Sequence, residues 1–173
     1  MKSLYLLRPV LNSREICAYY EAQGITCLDP ASLHVNIMTS TRTVDWSLIG
    51  LNPDSMILSN QGDRKYLSTH NGTIFCLGFG GEVLIQRWLE GIRLGCSWEH
   101  RGYHPHTAIS KDPSIQQVVP FGGPIVLGAE RRSEIGDGEQ IKYTAGEDFL
   151  AGGYGFSGLA PDGFKRSIAK AIW

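Results

Sequence analysis

The shortages in this 173-residue sequence constrain it first. Cysteine is sparse: Cys17, Cys27, Cys76 and Cys96 stand far apart and form no CxxC pair. That spacing excludes a zinc knuckle or a thioredoxin-like redox motif and leaves free, buried thiols of a reducing compartment as the expectation. An excess of charge of one sign is also missing. The 16 Lys+Arg residues face 17 Asp+Glu, so the basic face of a duplex DNA or RNA binder is not expected. A small anionic ligand stays open, because a few local donors suffice for one. No apolar run approaches the ~20 residues of a membrane span. The opening Met1–Arg8 stretch is interrupted too early for a signal peptide. A soluble, cytoplasmic protein with no membrane partner is expected. No cluster has the spacing of a metal site, so neither a metal nor a cofactor is anticipated. Gly78-x-Gly80-Gly81 lacks both the GxGxxG spacing and the Lys-Ser/Thr of a phosphate loop, and reads as a turn before a helix.

A hydrophobic content of 42% and a charged content of 19% are those of an ordinary globular chain. The length fits one domain, or two small lobes sharing a core. Leu4–Leu7 reads as a strand closed by Pro9. Ser13 is placed to cap a helix from Arg14 to about Gln23, with Ile16, Tyr19 and Tyr20 on its apolar face and Gly24 as its stop. Leu33–Met38 is a strand whose alternation sets His34, Asn36 and Met38 on one face and Val35 and Ile37 on the other. Thr39–Thr43 reads as a polar loop. Met56–Leu58, Lys65–Leu67 and Thr73–Leu77 are further strands, and Glu82–Leu94 is a helix stopped by Gly95. A strand follows at His106, with Pro105 at its start, and another spans Pro124–Leu127. From Gly136 the character changes: the last 38 residues hold eight glycines. A strand at Ile141–Tyr143 and a helix at Phe164–Trp173 are the only elements expected there. The chain divides into a domain over residues 1–135 and a Gly-rich extension over 136–173. The order strand, helix, strands occurs twice, and each half presents one histidine strand. This is the pattern of a two-lobed α+β fold with pseudo-two-fold symmetry.

Two histidines facing one another across a cleft can cleave an RNA-like phosphodiester without a metal. One imidazole takes the proton of a ribose 2′-OH and the other protonates the departing 5′-oxygen. An ordinary histidine pKa near ~6.5 suits both roles. Charge developing on the phosphorus centre needs donors close by. A side chain two residues after each histidine lies on the same strand face, so the expected word is His-x-Thr or His-x-Ser, twice. His34 and His106 are the candidates, with His104 a neighbour on the His106 face and His70 and His100 assigned to loops.

Leu33-His34-Val35-Asn36-Ile37 and Pro105-His106-Thr107-Ala108-Ile109-Ser110 resemble the paired motifs of the 2H phosphoesterase superfamily. Four further words narrow the resemblance: Leu4-Tyr5 with Arg8-Pro9-Val10, Ser40-x-x-x-Val44-Asp45-Trp46, Gly95-x-Ser97-Trp98, and Gly123-x-Ile125-x-Leu127-Gly128-x-Glu130. Together they are similar to the phage anti-CBASS phosphodiesterases, over roughly residues 4–135. The resemblance implies a LigT-like fold, with antiparallel sheets around a central cleft. It also implies degradation of cyclic di- and trinucleotide signals of bacterial antiviral defence, the cyclic oligonucleotide being the partner. His34, His106 and Asn36 are then the catalytic residues. Tyr5, His104, Ala108, Glu130 and Arg42 line the substrate, with Tyr5 stacking on a base and Glu130 accepting from a base edge. Arg8, Arg42 and Lys65 are candidate phosphate contacts, and Trp46 and Trp98 are core anchors.

This chain departs from the pattern where the family has Thr or Ser. Asn36 keeps an amide donor, but Ala108 keeps none. Thr107 points to the opposite face unless a bulge follows Pro105. Loss of one transition-state donor costs on the order of 10²–10³ in rate. Two other readings therefore stand beside the enzyme: a protein that sequesters cyclic nucleotides without cutting them, and a 2H enzyme acting on RNA ends or 2′-5′ linkages. The sequence does not assign an oligomeric state.

Overall fold

A computed structural model of the chain describes residues 1–59, the backbone of 65–68, and residues 74–100, 102–111 and 118–135. The elements run β1 (Lys2–Pro9), α1 (Ser13–Glu21), β2 (His34–Val44), β3 (Met56–Leu58), β4 (Lys65–Ser68), β5 (Phe75–Gly78), α2 (Glu82–Arg93), β6 (His106–Ser110), β7 (Ile125–Leu127) and β8 (Arg131–Ser133). Six strands form one antiparallel sheet in the order β4-β5-β6-β2-β1-β8, and β3 pairs with β7 in a second. His70, the turn expected at 60–63, and the strand and helix expected beyond 136 lie outside the described residues.

The sheet reads outward symmetrically from the β2–β6 seam, as β2-β1-β8 on one side and β6-β5-β4 on the other. Each inner pair is joined through a helix: β1 to β2 through α1, and β5 to β6 through α2. Both helices close alike. Gly24 and Gly95 adopt φ values of +82° and +90°, a region that a side chain would strain. The next residue then bonds five positions back, Ile25 N–H to Tyr20 O and Cys96 N–H to Gly91 O, each at 3.1 Å. That 6→1 bond is the mark of a Schellman stop.

Both helices cover the same face of the sheet. Tyr20 of α1 meets the ring of Phe75 edge-on at 5.7 Å. Gly91 of α2 lies over Met38, where a methyl in its place would stand 2.6 Å from Met38 Cε. Each helix thus reaches the inner strands of the other half, so the halves share one core. Leu4, Leu6, Val35, Ile37, Leu77 and Ile109 form its floor.

Several expectations change. Helix α1 begins at Ser13 itself, which is buried, and Asn12 precedes it. Asn12 ties the turn to β7 instead of capping its own helix, accepting from Val126 N–H at 3.0 Å and donating to Pro124 O at 2.8 Å. The Ile25–Leu28 stretch is irregular and bonds β6 through Leu28 N–H to Ile109 O. The Thr39–Thr43 loop is strand, because β2 continues antiparallel to β1 up to Val44. Met38 does not share a face with His34. The register steps from Leu7↔Asn36 to Leu6↔Met38, which leaves Ile37 as an extra residue. At such a bulge two successive side chains turn the same way, and both Ile37 and Met38 are buried in the core.

Candidate active site

The face of the sheet opposite the helices carries the histidines. Along β1, Tyr5, Leu7 and Pro9 point to this face. Opposite them in register stand Thr39, Asn36 and His34. Strands β2 and β6 pair at a single position, Val35↔Thr107, the residues immediately after the two histidines. In an antiparallel ladder of that register, His34 and His106 stand on a diagonal of roughly 7–8 Å. His34 then lies across from Ala108, and Asn36 across from His106.

The two histidines are held by the same local device. His34 Nδ1 is 2.7 Å from Ser32 O, and His106 Nδ1 is 2.7 Å from His104 O. A carbonyl only accepts, so Nδ1 carries the proton in both rings. In the neutral imidazole Nε2 is then the acceptor nitrogen. Each histidine also pairs with the last residue of its outer neighbour, His34 with Pro9 and His106 with Gly78. The preceding carbonyls are anchored in parallel fashion, Leu33 O by Val10 N–H and Pro105 O by Phe79 N–H. The expected pairing of two histidine strands thus appears as a repeated geometry, down to the tautomer.

Surroundings separate them. Tyr5 OH lies 2.8 Å from His34 Nε2 and meets the ring edge-on. Burial pushes the Tyr5 phenol up to about 12, so it stays a neutral donor at physiological pH. The position expected to stack on a base therefore holds a histidine. Burial also holds the His106 imidazolium down, lowering its pKa from the ordinary 6.5; His104, His34 and His100 add to this, against the stabilising His104 carbonyl.

The second position of each word differs as well. Asn36 Nδ2 donates to Thr39 Oγ1 at 2.7 Å. Ala108 lies across from Cys76 and brings no donor. Thr107 does not rescue it: its side chain is buried on the helix face and its Oγ1 is unpaired there. The bulge in β6 falls at Ile109, beyond Ala108, since the register steps from Cys76↔Ala108 to Phe75↔Ser110.

Three other expected residues are not brought to the histidine face. Arg8 is buried on the helix face, donating to Asp54 O and Gly128 O at 2.8 Å each. Glu130 is buried beside it. Its carboxylate takes Arg87 Nη2 at 2.8 Å, Asn52 N–H at 3.0 Å and Arg8 Nη2 at 3.4 Å. A cavity of about 360 Å³ adjoins this cluster, lined in part by Arg87, Arg93 and Glu90. Arg42 is exposed near the far end of β2. Eight residues of strand put it roughly 26 Å from His34. Only the backbone of Lys65 is described.

The remaining words of the resemblance are structural. Asp45 Oδ1 accepts from Ser47 N–H at 2.9 Å and starts the Trp46–Leu48 turn. Trp46 packs between Lys2 and Arg132. Ser97 Oγ lies 3.2 Å from Ser40 Oγ and accepts from Arg42 N–H at 3.2 Å, clamping the end of β2. Trp98 meets Trp88 and Tyr103 edge-on, and Tyr103 stacks on Trp88. Tyr103 OH in turn donates to Asn36 O at 2.9 Å, just before the bulge. Among the described residues no group of three or more His, Cys, Asp or Glu side chains is placed to hold a metal ion. None of the described helices is long and apolar enough to cross a membrane.

A family model described as "Anti-CBASS protein Acb1" matches residues 2–140. A relative of that description from Caulobacter sp. (strain RHG1) is 30% identical over 143 residues, which cover 78% of this chain and 23% of the relative. A second, from Sphingomonas paeninsulae, is 32% identical over 156 residues, covering 84% of this chain and 25% of the relative. The chain thus matches about a quarter of the length of these curated relatives. Among solved structures, E. coli LigT complexed with 3′-AMP superposes with a TM-score of 0.54 at 16% identity, covering 78% of this chain and 95% of LigT. A structure described as a phosphoesterase gives 0.55, also at 16% identity, covering 76% and 86%. The fold is that of the LigT-like 2H phosphoesterases, α+β, with the pseudo-two-fold arrangement expected.

Proposed function

Because the chain belongs to the anti-CBASS Acb1 family, we propose that it is a metal-independent phosphodiesterase that cleaves cyclic di- or trinucleotides of bacterial antiviral signalling. The single observation that carries this reading is the pair of identically oriented imidazoles flanking the Val35↔Thr107 seam, each with Nε2 as its working nitrogen. A ribose 2′-OH attacks the adjacent phosphorus while one imidazole removes its proton. The bond from phosphorus to the 5′-oxygen breaks, and the other imidazole delivers a proton to that oxygen. The product of the step is a 2′,3′-cyclic phosphate on a linear strand. Burial favours the neutral form of His106 and suits it to the base role. His34 then acts as the acid through the Tyr5 hydroxyl, 2.8 Å from Nε2, which accepts the Nε2 proton as it passes its own to the departing 5′-oxygen. Asn36 supports the site from the same strand face. Such an enzyme works in the host cytoplasm, where the signals are made.

The test is a panel of cyclic di- and trinucleotides and linear 2′-5′ oligomers incubated with protein in EDTA, with products separated. Cyclic substrates are expected to be opened at least about 10³-fold faster than by a His34→Ala/His106→Ala protein. Equal rates overturn the catalytic reading. Ala108 favours one alternative, a protein that sequesters these nucleotides: the cleft position where a hydroxyl is expected holds a methyl. Tight binding by calorimetry, with intact ligand recovered afterwards, selects that alternative.

A further inference from the structure

The bulge at Ile37 does more than bury Met38. It shifts the alternation of β2 by one, so Thr39, at an odd offset from His34, falls on the histidine face. Thr39 stands directly across from Tyr5, the residue that contacts His34. It is half-buried, as are His34 and Asn36. The bulge is pinned from the helix side, where the Tyr103 hydroxyl takes the carbonyl of Asn36.

The hydrogen bonds around Asn36 assign it a role different from direct contact. Its Nδ2 is committed to Thr39 Oγ1 at 2.7 Å, and its Oδ1 is shielded and unpaired. The amide therefore aims the threonine. Because Oγ1 accepts from Asn36, the threonine's own proton remains to be given to another acceptor. An accepted hydrogen bond also polarises the hydroxyl and strengthens it as a donor.

We propose that Thr39, set on the histidine face by the Ile37 bulge and aimed by Asn36, supplies the hydroxyl donor to the substrate phosphate that the two His-x words lack. Thr39 is then a catalytic residue and Asn36 a positioning residue acting through it. The inference rests on the phosphodiesterase reading above and adds the donor that reading leaves unnamed. A one-residue bulge thereby moves the hydroxyl from the second to the fifth position after the histidine.

The experiment compares Thr39→Val, Thr39→Ser, Asn36→Ala and the Asn36→Ala/Thr39→Val pair on a cyclic dinucleotide the parent opens, with Thr43→Val on the exposed part of the strand as control. Thr39→Val is expected to lower kcat roughly 10²-fold, with KM changed by less than about threefold. Thr39→Ser retains most of the rate. Asn36→Ala costs nearly as much as Thr39→Val, and the pair costs little more than either alone, because the two residues act as one unit. Parent-like turnover in Thr39→Val, failure of serine to restore activity, or strictly additive losses overturns the proposal and leaves the phosphodiesterase reading standing. A parent that opens no cyclic substrate overturns that reading itself. Titrated calorimetrically in a His34→Ala/His106→Ala background, where the ligand stays intact, Thr39→Val is expected to keep Kd within about threefold, and a weakening of about tenfold or more overturns the assignment.

Discussion

The two histidine strands share a backbone and differ in what they display. His34-Val35-Asn36-Ile37-Met38 and His106-Thr107-Ala108-Ile109-Ser110 both place a histidine on the open face, then a core residue, a face residue, and a bulged isoleucine that returns to the core. Both histidines donate Nδ1–H to the carbonyl two residues before. The first strand, however, carries a tyrosine partner for its imidazole and a paired amide and hydroxyl beyond it. The second carries a methyl at the matching position and an imidazole whose pKa burial depresses. The pseudo-symmetry is thus one of scaffold, and the division of labour lies in the side chains. Two equivalent imidazoles could exchange the base and acid roles, and the burial of one and the tyrosine hydrogen bond of the other are what distinguish them here.

The sharpest way to break the comparison is to remove each histidine alone. If both imidazoles serve one proton-transfer sequence, His34→Ala and His106→Ala each lose on the order of 10³-fold in kcat, and the double variant is hardly worse than either single one. Steady-state rates on the cyclic substrate decide it. A tenfold loss in one against a thousandfold loss in the other would show that only one strand is catalytic.

A smaller effect is expected from giving the second strand what the first has. Ala108→Thr places a hydroxyl on the face beside His34, and Ala108 is only half-buried, so the added atoms have room toward the cleft. A gain of about tenfold in kcat/KM is expected, less than the full worth of a transition-state donor because Thr39 already serves the site. An unchanged rate would mean that the first strand alone supplies the polar contacts.

How far this was legible from the sequence depends on the residue. His34 and His106 were visible because strand alternation and their position after Leu33 and Pro105 fix their face without any tertiary information. The two glycine stops were visible for a similar reason: only the residue at that one position must take a positive φ. Thr39 was hidden. Its polar neighbours read as a loop, and both the continuation of β2 and the Ile37 bulge that sets its face depend on pairing with β1, distant in sequence. The one local trace was the adjacent apolar pair Ile37-Met38, which breaks strict alternation. Glu130 and Arg8 were misplaced for a different reason. Charged side chains default to solvent or ligand in a sequence reading, whereas here Arg8, Arg87 and Glu130 satisfy one another beneath the sheet. That sets the cavity beside them on the far side of β1 from Tyr5.

The smallest expected effect concerns pH, and it tests whether the imidazoles are as unequal as their surroundings imply. The folded-state pKa of His106 lies below its ordinary value of 6.5, so between those two values the unfolded chain binds more protons than the folded one. Stability from this group is complete above about pH 6.5 and is lost as the pH falls through the folded value. Replacing His106 with Gln removes the group that must be kept neutral. The melting temperature of His106→Gln is therefore expected to decline less steeply than the parent's below pH 6.5, and to run parallel to it between pH 7 and 8. Parallel curves over the whole range would show that His106 titrates normally in the folded protein. The inequality of the two histidines would then have to come from the Tyr5 hydrogen bond on His34 alone.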